Sequence, residues 1–538
     1  MFHPLRSIPG HSKKRSRTVS LRQRPGARWT RFIFIGILAM SVSCSRRASQ
    51  PNILIILADD LGYGDVQCYN PESGKIPTPN IDRLAREGMR FTDAHSSSAV
   101  CSPSRYTLLT GRYHWRSRLQ KGIVYLWEKP LITPDRLTIA DLARNQGYHT
   151  AAIGKWHLGW NWPIDSAEFS HFTEFGEFEG RTSEGVVKKT MASDADRAAW
   201  RNTFSKSIPG GPTSAGFDYY FGTDVPNWPP FCYIENDKTV GIPQEVLDTG
   251  QITVNQASFQ GPAINDWKLE NILPELGARA VKYIEDRSNS GKPFLLYLSL
   301  TSPHTPIAVS ANWRDKSGLH NDYADFVMQT DFVIGQVLEA LRRSGEEGNT
   351  LVIFTSDNGF APYAGREKLE AQGHFPSGPF RGYKGDVWEG GHRIPFIIRM
   401  PGKVIPGTTC DQLVHQADVM ATLAEIFGVD LPDNAGEDSY SLISLMKGGT
   451  RPVRDNAISC QHDGLQSIRK GSWKLVCSNP PQLYNLDDDP AETRDVATGN
   501  PAMVSELLTL RAKLISDGRS TPGTKQENDV EVILSAGN

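Results

Sequence analysis

The sequence predicts an α/β protein: a large, mixed but mostly parallel sheet sandwiched by helices, then a smaller antiparallel sheet with one helix. Three observations carry this. Four apolar runs, Ile53–Leu57 (ILIIL), Thr150–Ile153 (TAAI), Phe294–Leu300 (FLLYLSL) and Leu351–Thr355 (LVIFT), are continuous rather than alternating, as in strands buried on both faces. Helical patterns alternate with these runs, which argues for crossover connections and a parallel sheet. Past residue 455 the pattern changes to short segments between turn signals.

The helices follow from period and punctuation. Asn80 is placed to cap IDRLARE and Gly88 to stop it. TIADLARNQ (Thr138–Gln146) ends at Gly147, directly before the second strand. From Tyr323 to Ser344 apolar residues recur at 323, 326, 327, 333, 334, 337, 338 and 341, one helical stripe, and Gly345 follows. Val414–Phe427 repeats the pattern before Gly428. The Asp-, Gly-, Pro- and Ser-rich stretch 429–455 suits a boundary. It divides a large domain, 51–430, from a small one, 431–518. In the small domain Gln466–Arg469, Trp473–Cys477 and Gln482–Asn485 predict a meander, with a helix from about Met503 to Ile515 on it. Residues 160–215 are polar and Gly-rich without a clear period and read as an insertion; 519–538 read as a disordered tail.

The first fifty residues stand apart as a leader. Lys and Arg crowd residues 6–31 with no acid among them, and an apolar run of 11 residues, Phe32–Val42, follows. This is too short to span a bilayer, which needs roughly 17–25 residues, and it matches a secretory signal. Cys44 in SVSC is a candidate lipid-anchor site, although Ser41 stands where such sites usually carry leucine. The expectation is an exported protein, periplasmic, cell-surface or secreted, with no transmembrane helix in the mature chain. A net charge of −2 gives no global attraction to nucleic acid. Seven cysteines include no CxxC, and export would permit a Cys460–Cys477 pair.

Chemistry gathers just past the four strands. Asp59 and Asp60 follow the first, Lys155 and His157 the second, His304 the third, Asp357 and Asn358 the fourth. Open parallel sheets bind ligands at that edge. The Asp-Asp and Asp-Asn doublets offer only oxygen, which suits calcium, or less well magnesium. With Arg105 and Lys384 near and both histidines neutral, a divalent ion would leave a net charge of about +2, a pocket for an anion. Cys101 precedes Pro103, which suits a helix first turn, so its thiol sits where the dipole should lower its pKa. A cysteine nucleophile is one reading. A soft thiolate matches an all-oxygen metal site poorly, and an oxygen nucleophile would match it.

At this point the sequence resembles the sulfatase family, formylglycine-dependent members of the alkaline phosphatase superfamily similar to arylsulfatase A and N-acetylgalactosamine-6-sulfatase. CSPSR (Cys101–Arg105) with LTGR (Leu109–Arg112) resembles the signature in which cysteine is oxidised to formylglycine. NILIILADDLGYGD from Asn52, GKWHLG from Gly154, SPHTP from Ser302, SDNG from Ser356 and GYKGDVWEGGHRIP from Gly382 extend the resemblance, which reaches about Ala497. It implies an alkaline-phosphatase-like fold and one calcium ion held by Asp59, Asp60, Asp357, Asn358 and the modified residue 101. It also implies a maturation partner, a formylglycine-generating or anaerobic sulfatase-maturing enzyme.

The implied reaction starts from a hydrated aldehyde at position 101. One hydroxyl attacks sulfur, with Arg105 steadying it and Asp357 helping to take its proton. Lys155, His304 and Lys384 bind the sulfate oxygens, and His304 protonates the leaving oxygen. The second hydroxyl, deprotonated by His157, then expels sulfate. The aromatic segment Gly216–Asp237 suggests a sulfated carbohydrate, with Trp228, Phe231 and Tyr233 either stacking on sugar or packing in the core. An aryl sulfate is the simpler substrate. A phosphonate or phosphate monoester hydrolase of the same superfamily, and a non-catalytic sulfoglycan-binding protein, are the alternatives.

Overall fold

Ile53, Ile55 and Leu57 face one way and Leu54, Ile56 and Ala58 the other, and all six are fully buried. This first strand runs through the middle of the main sheet. The computed structural model describes residues 50–173, 177–178, 191–251, 258–288 and 290–532. The leader with Cys44, part of the 160–215 insertion and the last six residues lie outside the described residues.

In chain order the main strands are β1 (Asn52–Asp59), β2 (Met89–Phe91), β3 (His149–Lys155), β4 (Tyr219–Thr223), β5 (Ile234–Glu235), β6 (Lys238–Thr239), β7 (Phe294–Pro303), β8 (Thr350–Ser356), β9 (Phe396–Arg399) and β10 (Thr408–Cys410). They form one sheet in the order β10-β2-β9-β8-β1-β7-β3-β4-β5-β6. The five central strands, β8 to β4, are parallel. The flanks turn antiparallel at β9 and at β5. Helices α1 (Pro79–Glu87), α2 (Cys101–Thr110), α3 (Ile139–Asn145), α4 (Ile272–Arg287), α5 (Asp322–Arg343) and α6 (Asp418–Phe427) cover both faces. Residues of α1, α4 and α5 share one core with Leu54 and Ile56. Residues of α2, α3 and α6 share the other with Ile53 and Ile55. This is the doubly covered sheet that the continuous apolar runs predict.

Local details differ from the sequence reading. Helix α1 begins before Asn80, and the Asp331 carboxylate of α5 accepts from the backbone N–H groups of Asn80 (3.1 Å) and Ile81 (2.9 Å). A carboxylate from another helix thus takes the place of the local cap. Helix α6 begins at Asp418 rather than Val414, because Val414–His415 pairs as a short strand with Ala94–His95. Within the insertion, Asp194–Phe204 is helical, with Ser193 and Asp196 forming a capping box. Trp200 and Phe204 share a small core with Phe172.

The second sheet is an antiparallel meander of β11 (Asn456–Cys460), β12 (Gln466–Lys470), β13 (Trp473–Val476) and β14 (Gln482–Asn485). Helix α7 (Pro501–Ser516) lays Leu507 and Leu514 on its Ile458, Ile468 and Leu475. Cys460 and Cys477 are free thiols in this core, so the pairing that export would permit is not formed. The described part of the tail is also ordered, against expectation. Asp529 pairs with Arg112 (3.0 Å), its N–H reaches Arg116 O (2.8 Å), and Val532 joins the meander's core.

The two sheets are joined by backbone and by charge. Strand β11 bonds the segment before α2 through Ala99 N–H to Cys460 O (2.9 Å) and Cys460 N–H to Ser97 O (3.0 Å). From β13 the buried Lys474 ammonium reaches Glu389 (3.0 Å) and Glu492 (2.8 Å), and its Nζ lies 3.1 Å from His392. Burial would raise the Glu389 carboxyl, but Lys474, the neighbouring His95 and His392, and Arg393 together hold it well below the usual carboxylate range. His95, Glu389 and His392 are close enough to share a cation, yet Lys474 and Arg393 already neutralise this carboxylate. Removing one member of a buried ion pair costs about 3–5 kcal/mol. Lys474→Met is therefore expected to lower the unfolding free energy by about that amount, read from the midpoint of a urea titration of the full chain. A midpoint unchanged from wild type would show that the network contributes nothing.

Candidate active site

The sheet delivers its polar groups where β1, β3, β7 and β8 end, and two glycines allow the strands to close up there. A Cβ on Gly154 would lie 1.7 Å from Ser299 O, and one on Gly222 1.8 Å from Gly154 O. With both side chains absent, Lys155 O accepts from Ser299 Oγ (2.7 Å) and from Arg105 (3.3 Å).

Arg105 projects from the first turns of α2 and ties the strand ends together. Its guanidinium bonds Asp357 Oδ2 (2.8 and 3.1 Å), lies 3.2 Å from Asp59 Oδ1, and donates to Ser299 Oγ. Lys155 Nζ takes the other oxygen of Asp59 (2.7 Å), and Lys384 Nζ takes Asp60 Oδ2 (2.7 Å). His304 Nε2 lies 3.6 Å from that same Asp60 oxygen, and Cys101 Sγ 3.6 Å from Asp59 Oδ1. Asp60 itself is left-handed, at φ 65°. Its N–H is held by Asp357 Oδ1 (3.1 Å), its Oδ1 by Asn358 Nδ2 (2.8 Å), and its carbonyl by the Tyr323 hydroxyl (3.1 Å). A non-glycine residue in this region costs about 1–3 kcal/mol and tends to mark functional sites.

His157 completes the group from a second left-handed position, φ 54°. Its N–H donates to Asp224 Oδ1 (3.1 Å), and its Nε2 donates to Val124 O (3.1 Å). Nδ1 is buried without a hydrogen-bond partner. Val124 N–H in turn bonds Ser102 Oγ (3.1 Å), which links this loop to the start of α2.

The sequence-predicted groups Asp59, Asp60, Cys101, Arg105, Lys155, His304, Asp357, Asn358 and Lys384 are thus joined in one contact network, with His157 beside it. Four further residues escaped the sequence reading: Ser299, Tyr363 (hydroxyl 3.4 Å from Lys384 Nζ), Asp224 and Val124. Asp224 was within reach, since it directly follows the strand YYFGT. Trp228 and Phe231 are buried, and Tyr233 stacks on Phe221, so these three rings pack rather than present faces to a sugar.

Burial sets the protonation states. It pushes the Cys101 thiol up, with Asp357 and Asp59 reinforcing it against Lys155 and Lys384. The sequence reading expected the opposite, from the helix dipole. At 2% exposure, burial outweighs the dipole, and the thiolate-nucleophile reading falls. Asp357 is raised to about 7 by burial and by Asp59. Asp59 goes the other way: burial opposes, but Lys155, His304 and Arg105 hold it well below its usual value. His304 is lowered to about 4 by burial and by Lys155 and Lys384, and His157 also falls, by burial and Lys155. Burial pushes Asp224 up to about 6.

Asp59, Asp60, Cys101 and His304 place their ligand atoms within 4.8 Å of one another. Asn358 Oδ1 is a buried acceptor without a donor, on the amide that bonds Asp60, and with Asp59, Asp60 and Asp357 it makes up the oxygen donors of the site. A hard divalent cation fits such a set. Three carboxylates face three fixed cations here, and an added divalent ion would leave two positive charges for an anionic ester.

Such an anion pocket at the carboxyl edge of a doubly covered sheet is the setting of an ester hydrolase, and the comparisons fix which kind. The sulfatase family model matches residues 51–429, and the chain belongs to that family. It is a sulfuric ester hydrolase. N-acetylgalactosamine-6-O-sulfatase of Bacteroides thetaiotaomicron is 32% identical, over 86% of this chain and 93% of the relative. Arylsulfatase G of Rattus norvegicus is 29% identical, over 90% of each. A solved structure described under the metabolism of multiple glycosaminoglycans by Bacteroides thetaiotaomicron superposes with a TM-score of 0.74 at 29% identity, covering 87% of this chain and 99% of that one.

The raised thiol pKa gives a direct expectation. In protein carrying unmodified cysteine at 101, iodoacetamide at mildly alkaline pH leaves Cys101 unlabelled until denaturant is added, read by peptide mass mapping. Rapid labelling of the native protein would contradict the burial described here.

Proposed function

We propose that the chain hydrolyses sulfate monoesters of carbohydrates after export, with formylglycine at position 101 and one calcium ion. The observation that carries this is the convergence of three fixed cations and an oxygen-only doublet set around residue 101. Calcium would be held by Asp59, Asp60, Asp357 and Asn358 with residue 101, and would supply positive charge opposite the sulfate. The oxidised, hydrated residue 101 supplies two hydroxyls on one carbon, one to attack sulfur and one to release sulfate and restore the carbonyl.

The remaining groups follow from their contacts. Lys155 and Lys384, already paired with Asp59 and Asp60, bind sulfate oxygens as charge builds. His304 has Nδ1 on Thr305 O, so its Nε2 is the nitrogen free to hand a proton to the leaving alcohol. Bound sulfate, an anion, favours the protonated ring that burial, Lys155 and Lys384 otherwise disfavour. His157, held with Nε2–H on Val124 O, keeps Nδ1 as the base. The name of the 32% identical N-acetylgalactosamine-6-O-sulfatase supports a sugar substrate. So does Tyr125, which follows Val124, is 43% exposed and sets its ring against Trp228.

Two experiments test this. Inorganic sulfate release from a panel of sulfated saccharides and aryl sulfates should favour saccharides and vanish in Cys101→Ala; turnover of aryl sulfates alone would sink the carbohydrate reading. Chelation should lower the melting temperature, calcium should restore it, and elemental analysis should find about one calcium per chain. Asn358→Leu should bind less.

A further inference from the structure

We propose that Asp224 is the positioning residue that makes His157 a base. The inference rests on the sulfate-release reading given above. His157 sits one residue beyond Trp156, whose N–H still bonds Thr223 O (3.1 Å) and so extends the pairing of β3 with β4. The backbone then leaves the strand in a left-handed turn at His157, a conformation uncommon outside glycine that persists where its surroundings favour it. The hold is Asp224 Oδ1, accepting the His157 N–H at 3.1 Å from the end of the neighbouring strand.

That turn aims the ring. With the backbone fixed, Nε2–H meets Val124 O at 3.1 Å, and Trp228 packs against the ring with centroids 5.2 Å apart. The hydrogen bond selects one tautomer, protonated on Nε2 and bare on Nδ1, and the Trp228 ring fixes the orientation of the imidazole. The bare nitrogen is the buried atom left without a partner. In the release step a proton passes from the second hydroxyl of residue 101 to Nδ1. The carbonyl forms, the carbon–oxygen bond to sulfate breaks, and its electron pair leaves on sulfate. Without the carboxylate the turn can relax to an extended conformation, Val124 O loses its donor, and the tautomer is no longer fixed. Asp224 touches neither substrate nor reacting atoms; it acts through His157.

The prediction separates the two chemical steps. In Asp224→Ala, one equivalent of alcohol is released at the wild-type rate. Steady turnover then falls about 10- to 100-fold, and intact mass shows enzyme sulfated at residue 101. Asp224→Asn keeps an oxygen acceptor and is expected within about threefold of wild type. The ¹⁵N shifts of labelled histidine supply a readout without turnover: His157 Nδ1 reads as unprotonated in wild type and Asp224→Asn, and as a tautomer mixture in Asp224→Ala. Asp224→Leu replaces Asp224→Ala if the alanine variant does not fold. Wild-type turnover in the alanine variant overturns the proposal. So does equal slowing of both steps with no sulfated enzyme, or an unchanged His157 tautomer. A wild-type enzyme that releases sulfate from no substrate fails the functional reading instead, and the nitrogen shifts then decide the positioning by themselves.

Discussion

The guanidinium of Arg105 bridging Asp59 and Asp357 is the contact on which the rest of the site depends. Asp59 and Asp357 end β1 and follow β8, adjacent parallel strands whose carboxylates meet in a place without solvent. Unpaired, they would repel strongly at low dielectric. Arg105 meets both from helix α2, and its position there sets Cys101 one helical turn away. The same contact that makes the strand ends tolerable therefore places the reactive position beside them. Lys155 and Lys384 extend the balance to the remaining carboxylate oxygens.

A balance of this kind leaves little slack. With three cations on three carboxylates, the pocket is near neutral before any ion or substrate enters, and burial together with these close charges moves several of its groups from their ordinary titration ranges. The thiol is neutral, both histidines resist protonation, and Asp357 holds a proton more readily than an exposed carboxyl. The chemistry of the site is thus a property of the ensemble of charges. Any single residue taken alone would be misjudged, as the helix-dipole argument for Cys101 shows.

Much of this was legible in the sequence because parallel strands obey a strong rule: continuous apolar runs, then polar groups at one end. Asp59, Asp60, Lys155, His157, His304, Asp357 and Asn358 all followed from it. The rule failed where the strand was hidden. YYFGT lies inside a stretch so aromatic that its strand could not be separated from its packing residues, and Asp224 was passed over with it. Contacts between residues far apart in sequence were invisible for a different reason. Asp331 capping α1, the short strand that displaced the start of α6, and the tail residues on Arg112 and Arg116 are tertiary partners that no local pattern encodes. The thiols of Cys460 and Cys477 show the reverse case, a pair that export would permit but that stays as two free thiols packed in the core.

Strand β11 carries a consequence for the way the protein is made. It bonds the segment just ahead of Cys101, and Ser459 Oγ donates to Ser96 O, a partner 363 residues distant along the chain. A ribosome releases the early segment long before the late one exists. Until then the loop leading into α2 lacks its neighbour, the Lys384 loop lacks the meander beneath it, and closure must wait for nearly the whole polypeptide to emerge. The pocket is therefore among the last parts of the molecule to assemble, and a chain cut short before residue 456 would carry every charged group of the pocket without the strand that seals them together.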